Sequence, residues 1–78
     1  MKSEAAARVR CGVWMRSRRA RAGLTLKQVA LGTGVTRQAV AQWESGERMP
    51  SLPRFVLWAR SIGSSPAEAI GQVEVVIE

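Results

Sequence analysis

An all-α domain of five helices, finished by a short C-terminal strand suited to dimerisation, is the fold that three features of the sequence predict. The chain has 78 residues of which 46% are apolar, enough for one core and one domain. Glycines at 23, 34, 46 and 63 each follow a stretch with helical spacing, where a residue free to take positive φ can close a helix. Hydroxyl residues stand where the next stretches begin, at Thr25, Thr36, Ser51 and Ser65, positions from which a side-chain oxygen can satisfy free backbone N–H groups.

Taken in order, the first helix runs from Val9 or Gly12 to Ala22, with Cys11, Met15 and Ala22 at near-helical intervals and Arg16, Arg18, Arg19 and Arg21 filling the gaps. Thr25 and Gln28 form a capping box that opens the second. Thr36 caps a third helix that reaches Trp43 or Ser45 before Gly46 and the turn-prone Met49-Pro50-Ser51. Ser51 caps a fourth, in which Pro53 falls in the tolerant first turn and Leu52, Phe55, Val56, Ala59 and Ile62 make the buried stripe. Ser65-Pro66-Ala67-Glu68 starts a brief fifth helix. From Gln72 the chain turns β-branched, with Val73, Val75 and Ile77 alternating against Glu74 and Val76, the pattern of a short strand. The predicted organisation is an N-terminal arm over 1–8, a folded domain over 9–70 and a strand or tail over 71–78. Lys2 and Arg8 in this arm, with the adjoining Arg10, would form a basic stretch able to follow a groove, with a disordered terminus as the default.

A domain this short buries only about 60% of the surface its unfolded chain exposes, so a second copy is a ready source of stability. With 12 Lys and Arg against 6 Asp and Glu the formal charge is +6, the footprint of a chain that meets polyanions. The charge is polarised: residues 1–63 carry all the basic side chains and only Glu4, Glu44 and Glu47, whereas 64–78 hold Glu68, Glu74 and Glu78 and no base. The lone Cys11 has no disulfide partner, which fits a reducing cytoplasm, and it reads as an inert core residue. No apolar run approaches the ~20 residues of a membrane-spanning helix. Without histidine and with one cysteine, zinc fingers and Cys-His nucleophile pairs are excluded, so no enzyme, metal or cofactor is expected.

Ala30, Gly34 and Val40 carry the functional signal. Alanine lets two helices cross closely, glycine permits a tight turn between them, and valine anchors the second to the core, which together describe a helix-turn-helix. The triple lies between two independently capped helices, which strengthens it.

Around this motif the sequence resembles the Cro and phage-repressor family of DNA-binding domains, also called the xenobiotic-response-element family. The resemblance runs from about Cys11-Gly12 to Ile70, through Arg19, Gly23-Leu24-Thr25, Val29-Ala30, Gly34-Val35-Thr36, Trp43-Glu44-Ser45-Gly46, Arg48, Pro50-Ser51-Leu52 and Ala59-Arg60-Ser61-Ile62-Gly63. It implies a five-helix domain whose third helix enters the major groove of DNA with the second crossing above it. In that pose Thr36, Arg37, Gln38, Ala41 and Gln42 face outward while Val40 and Trp43 turn inward. Arg37, Gln38 and Gln42 would read bases, since arginine can donate two hydrogen bonds to guanine and glutamine can pair with adenine. Lys27, Thr36 and Arg48 would hold phosphates, with Arg18 a further backbone contact. The family commonly has glutamine at the first residue of the second helix, where this chain has Leu26, which weakens one expected contact. The resemblance also implies that Arg19 and Glu44 form a structural ion pair between the first and third helices. Trp43 and Trp58 fall where the family buries aliphatic residues, whereas Trp14 receives no assignment.

One recognition helix reads only a few base pairs, so a homodimer on paired half-sites is expected. Leu57, where the family often has a polar residue, together with Val73, Val75 and Ile77, would form the dimer interface, the strand pairing with its twin. The expected function is a sequence-specific, double-stranded-DNA-binding transcriptional regulator, a dimeric repressor on a palindromic operator, controlled by concentration, a partner or exchange of the tail. The alternative is a protein-interaction module, such as an antitoxin whose acidic C-terminal segment covers a protein partner and which binds DNA to regulate itself.

Overall fold

A computed structural model of the chain describes residues 3–78 as five α-helices: α1 (Glu4–Arg21), α2 (Leu26–Thr33), α3 (Arg37–Ser45), α4 (Leu52–Ser61) and α5 (Pro66–Ile77). The local signals act where the sequence places them. Thr25 and Gln28 exchange both bonds of a capping box, the Gln28 N–H donating to Thr25 Oγ1 at 3.1 Å and the Thr25 N–H to Gln28 Oε1 at 2.8 Å. Thr36 and Ser51 accept from the N–H groups of Ala39 and Arg54. Ser65 occupies the N-cap of α5 without a side-chain bond, and Pro66 at the first helical position sets the start.

The helices outrun the sequence reading at both ends. α1 begins at Glu4, because Ser3 accepts from the Ala6 N–H at 3.1 Å, Glu4 lies in the positive first turn, and Ala5-Ala6-Ala7 are strong helix formers. Residues 4–8 are therefore helical rather than an arm, and Lys2 lies outside the described residues. At the other end there is no strand among the described residues: α5 continues to Ile77. The alternation of Val73, Val75 and Ile77 also contains the four-residue spacing Ala69, Val73, Ile77, and that set packs on the core, so tertiary burial overrides β propensity.

Pairwise packing makes one core. α1 lies against α3 and α5, α2 against α3 and α4, and α4 against α5. Cys11, Met15, Val29, Val40, Trp58 and Ala59 are wholly buried at its centre. Trp58 and Phe55 stack at 5.5 Å between ring centroids, and Trp14 covers both at 5.5 and 6.3 Å, which gives it a place at the α1–α4 junction. Leu52, expected in the α4 stripe, is 66% exposed, and Ala22 is exposed at the end of α1 because the chain has already left the helix. Among the described residues no helix is long and apolar enough to cross a membrane.

Candidate nucleic-acid interface

The α2–α3 corner is built by backbone geometry. Gly34 takes φ 76°, a left-handed conformation costly for other residues, and both its N–H and that of Val35 donate to the Ala30 carbonyl, at 2.9 and 3.1 Å. Ala30 is buried at the crossing. Val40 and Trp43, three residues apart on α3, turn into the core. Helical periodicity then forces the opposite face outward: Thr36, Arg37 and Gln38 are exposed at the N-terminal turn of α3, and Ala41 and Gln42 are half-buried along the same face.

The far end of α3 is closed tightly. The Gln42 carbonyl accepts from the Arg48 N–H at 3.2 Å and from Ser45 Oγ at 3.1 Å, drawing the following loop back on the helix. Arg48 is exposed beside it, as is Lys27 in the first turn of α2. Among the described residues the ion pairs are Arg19 with Glu44 and Arg8 with Glu4, so Arg37, Lys27 and Arg48 keep their positive charge for a ligand.

Three contacts from α1 fix the position of α3. Arg19 donates from Nε to Glu44 Oε2 at 2.6 Å and from Nη2 to Oε1 at 3.0 Å, while its Nη1 donates to the Leu24 carbonyl at 2.8 Å. The two side chains retain 15% and 8% of their exposure. The hydrogen bonds that Arg19 donates to Glu44, and then the carboxylate's charge, hold the guanidinium above the ordinary arginine range against the opposing effect of burial. Arg8 Nε donates to the Gly46 carbonyl at 3.2 Å, so a residue read as part of a solvated arm instead ties α1 to the end of α3. Gly12 lies directly against the Trp43 and Glu44 carbonyls, a role that spacing along one helix does not reveal.

Arg16 also belongs to this side. It lines a cleft of about 330 Å³ with Arg19, Leu26, Ala41, Glu44 and Ser45, between α1, the start of α2 and the outer face of α3. Its spacing of three from Arg19, on one helical face, was the signal in the sequence. Arg18 is placed elsewhere, in a hollow with Arg21, Ala22 and Ile62. The residues assigned to dimerisation do not form one surface. Val73 lines an apolar groove with Met49, Pro50, Leu52, Phe55 and Ile70, Val75 lines a hollow beside Trp14, Ile77 packs on the core, and Leu57 stands on α4.

An exposed, cationic helix face held by a tight bihelical corner defines a DNA-binding class. The chain belongs to the helix-turn-helix family, of the xenobiotic-response-element type: the family profile, described simply as helix-turn-helix, matches residues 15–68. This class binds DNA and is generally non-enzymatic. Two crystal structures of the clp gene regulator ClgR from Corynebacterium glutamicum are similar in fold. One is 25% identical with a TM-score of 0.76, covering 88% of this chain and 90% of its own. The other is 24% identical with a TM-score of 0.80, covering 91% and 76%. No curated protein sequence matches the chain.

Proposed function

We propose that the chain is a transcriptional regulator that reads double-stranded DNA by inserting the N-terminal half of α3 into the major groove. Arg37, Gln38 and Gln42 meet base edges there, and each good bidentate pair discriminates by about 1–3 kcal/mol. Lys27, Arg48 and the capped start of α3 at Thr36 hold the phosphates that set its register, and Arg18 adds longer-range attraction. The observation that carries this reading is the contrast within α3: Arg37 and Gln38 project unpaired into solvent while Val40 and Trp43 are locked in the core.

The regulatory part of the reading leans on the ClgR structure at 25% identity, which is described as a gene regulator. A homodimer on a palindromic operator follows from the small number of base pairs that one recognition helix spans, with half-sites about 10 base pairs apart centre to centre. Repression then works by occupying promoter DNA, in the cytoplasm. The experiment is selection of bound duplexes from a random pool at two salt concentrations. A palindromic consensus that survives the higher salt is the expected result. Retention of duplexes with no common sequence, lost as salt rises, would reduce the activity to charge attraction.

A further inference from the structure

Arg18 and Arg21 stand one turn apart at the end of α1 and line a shallow hollow of about 220 Å³ with Ala22 and Ile62, the C-capping residues of α1 and α4. No carboxylate lines it. Arg18 is half-buried and Arg21 exposed, and among the described residues neither has an ion-pair partner. A guanidinium taken partly out of water without a counter-charge is an unsatisfied cation, and its planar fork suits an oxyanion. Arg60, exposed in the last turn of α4 two residues before Ile62, adds positive charge on that side.

Helix capping does not account for the pair. At the end of α1 the carbonyls of Arg18, Arg19 and Ala20 accept from the N–H groups of Ala22, Leu24 and Gly23 at 3.1, 3.2 and 3.0 Å. At the end of α4 those of Trp58, Ala59 and Arg60 accept from Ile62, Ser64 and Gly63 at 3.3, 2.9 and 3.0 Å. Backbone closes both helix ends, and the arginine forks are left over. Nor do they belong to the α3 side. At about 100° per residue, Arg18 and Arg21 lie about 200° and 140° around α1 from Arg16, which with Arg19 lines the cleft beside α3. One helix therefore presents cations in two directions, and a duplex seated on α3 lies in the direction of Arg16.

The hollow is shallow and its only other lining is aliphatic, so it lacks the enclosure and the convergent polar groups that orient a small molecule. A polyanion needs neither: duplex DNA offers one negative charge per about 1.7 Å of its axis. While α3 holds one stretch of DNA, other stretches of the same molecule stay at high effective concentration. We infer that the Arg18–Arg21 hollow holds the phosphate backbone of a second duplex segment, so that the chain bridges two stretches of DNA, one read by α3 and the other held by charge alone. The longer-range attraction given to Arg18 ends in contact here. The inference rests on the α3 reading for the first duplex only.

Beads carrying the selected consensus duplex, loaded with the full chain and offered a labelled duplex of random sequence, test it. The wild type is expected to capture the labelled duplex and to release it as salt rises. Arg21→Glu places a carboxylate beside Arg18 and should cut capture by about tenfold or more, while loading on the consensus beads and helicity by circular dichroism stay as in the wild type. Arg21→Lys keeps the charge and should keep most of the capture. Equal capture by Arg21→Glu and the wild type overturns the inference, since the second recognition helix of a homodimer would then be the bridge. Displacement of the labelled duplex by polyglutamate more readily than by inorganic polyphosphate overturns it in favour of an acidic protein segment. A wild type that loads on the consensus beads and captures nothing rejects the bridge and leaves the α3 reading standing. A wild type that selects no consensus from the random pool removes both.

Discussion

Gly12 of α1 lies flush on the carbonyl oxygen of Glu44 in α3: a β-carbon added to it would sit 2.5 Å from that oxygen and 2.5 Å from the Trp43 carbonyl oxygen. The contact is answered from the other helix, since a β-carbon on Gly46 would come within 2.7 Å of Cα of Val9. Two bare stretches of backbone therefore set how closely α1 approaches the end of α3. Because the obstacles at Gly12 are carbonyls rather than flexible side chains, Gly12→Ala must push the helices apart. The expected loss of stability is about 2–3 kcal/mol or more, as for an overpacked core, visible as a lower urea midpoint. A midpoint equal to wild type would mean that α1 can shift freely.

The Arg19–Glu44 pair crosses the same junction. Removing Glu44 leaves a guanidinium that is largely buried and stripped of two of its three acceptors, and breaking a buried pair from one side costs about 3–5 kcal/mol. Glu44→Ala should therefore lower the melting temperature by roughly 10 °C or more for a domain of this size. The pair raises the arginine value in the folded state, so its contribution is complete below the unfolded value and is lost only as pH rises through the higher folded one. Titration through neutral and mildly alkaline pH should leave the difference between the two proteins unchanged.

What was legible in the sequence was local. The Thr25–Gln28 capping box, the Thr36 cap and the left-handed Gly34 are decided within a few residues of themselves, and they fix the helix-turn-helix without reference to the rest of the chain. The outward face of α3 followed from its period once Val40 and Trp43 were placed inside. The end of α5 was not legible, because Val73 and Ile77 belong both to the two-residue alternation with Val75 and to the four-residue repeat with Ala69, and only packing on α1 and α4 chooses between them. For the same reason the roles of Gly12 and Arg8 emerged only when α1 had a neighbour: each depends on a residue more than thirty positions away.

Base reading and phosphate holding separate cleanly in two variants. Arg37→Ala should relax preference at one position of the selected site, costing about 1–3 kcal/mol on the best sequence and little on others. Lys27→Ala, which removes an exposed cation from the first turn of α2, should weaken all duplexes alike and flatten the salt dependence by about one unit of logarithmic slope. Binding isotherms at several salt concentrations, on consensus and scrambled duplexes, measure both. If Arg37→Ala lowers affinity for every sequence equally, its assignment to a base edge is wrong.

Cys11 is wholly buried, and burial raises its thiol above the ordinary range. A thiol reagent should label the native protein no faster than the chain opens, with labelling in urea tracking the loss of helicity. The raised folded value means that the unfolded thiol ionises first, so stability should fall as pH climbs from the ordinary thiol range to the higher folded one. Cys11→Ala should lack this alkaline decline. Rapid labelling of the folded protein would contradict the burial.

Thr33 offers the opposite kind of test, a substitution expected to stabilise. Its Oγ1 is buried in the last turn of α2 with no hydrogen-bond partner, and a buried polar group left unsatisfied costs about 1–3 kcal/mol. Valine keeps the branched shape and the helix propensity of threonine while removing the hydroxyl. Thr33→Val should therefore raise the urea midpoint by the equivalent of about 1 kcal/mol with an unchanged slope, which would mark a change in stability rather than in compactness. Because Thr33 sits on the buried side of α2 and the α3 residues proposed to face DNA begin beyond the turn, the selected DNA sequence should stay the same. A lower midpoint would reveal that the hydroxyl does have a partner in solution, such as an internal water that valine would displace.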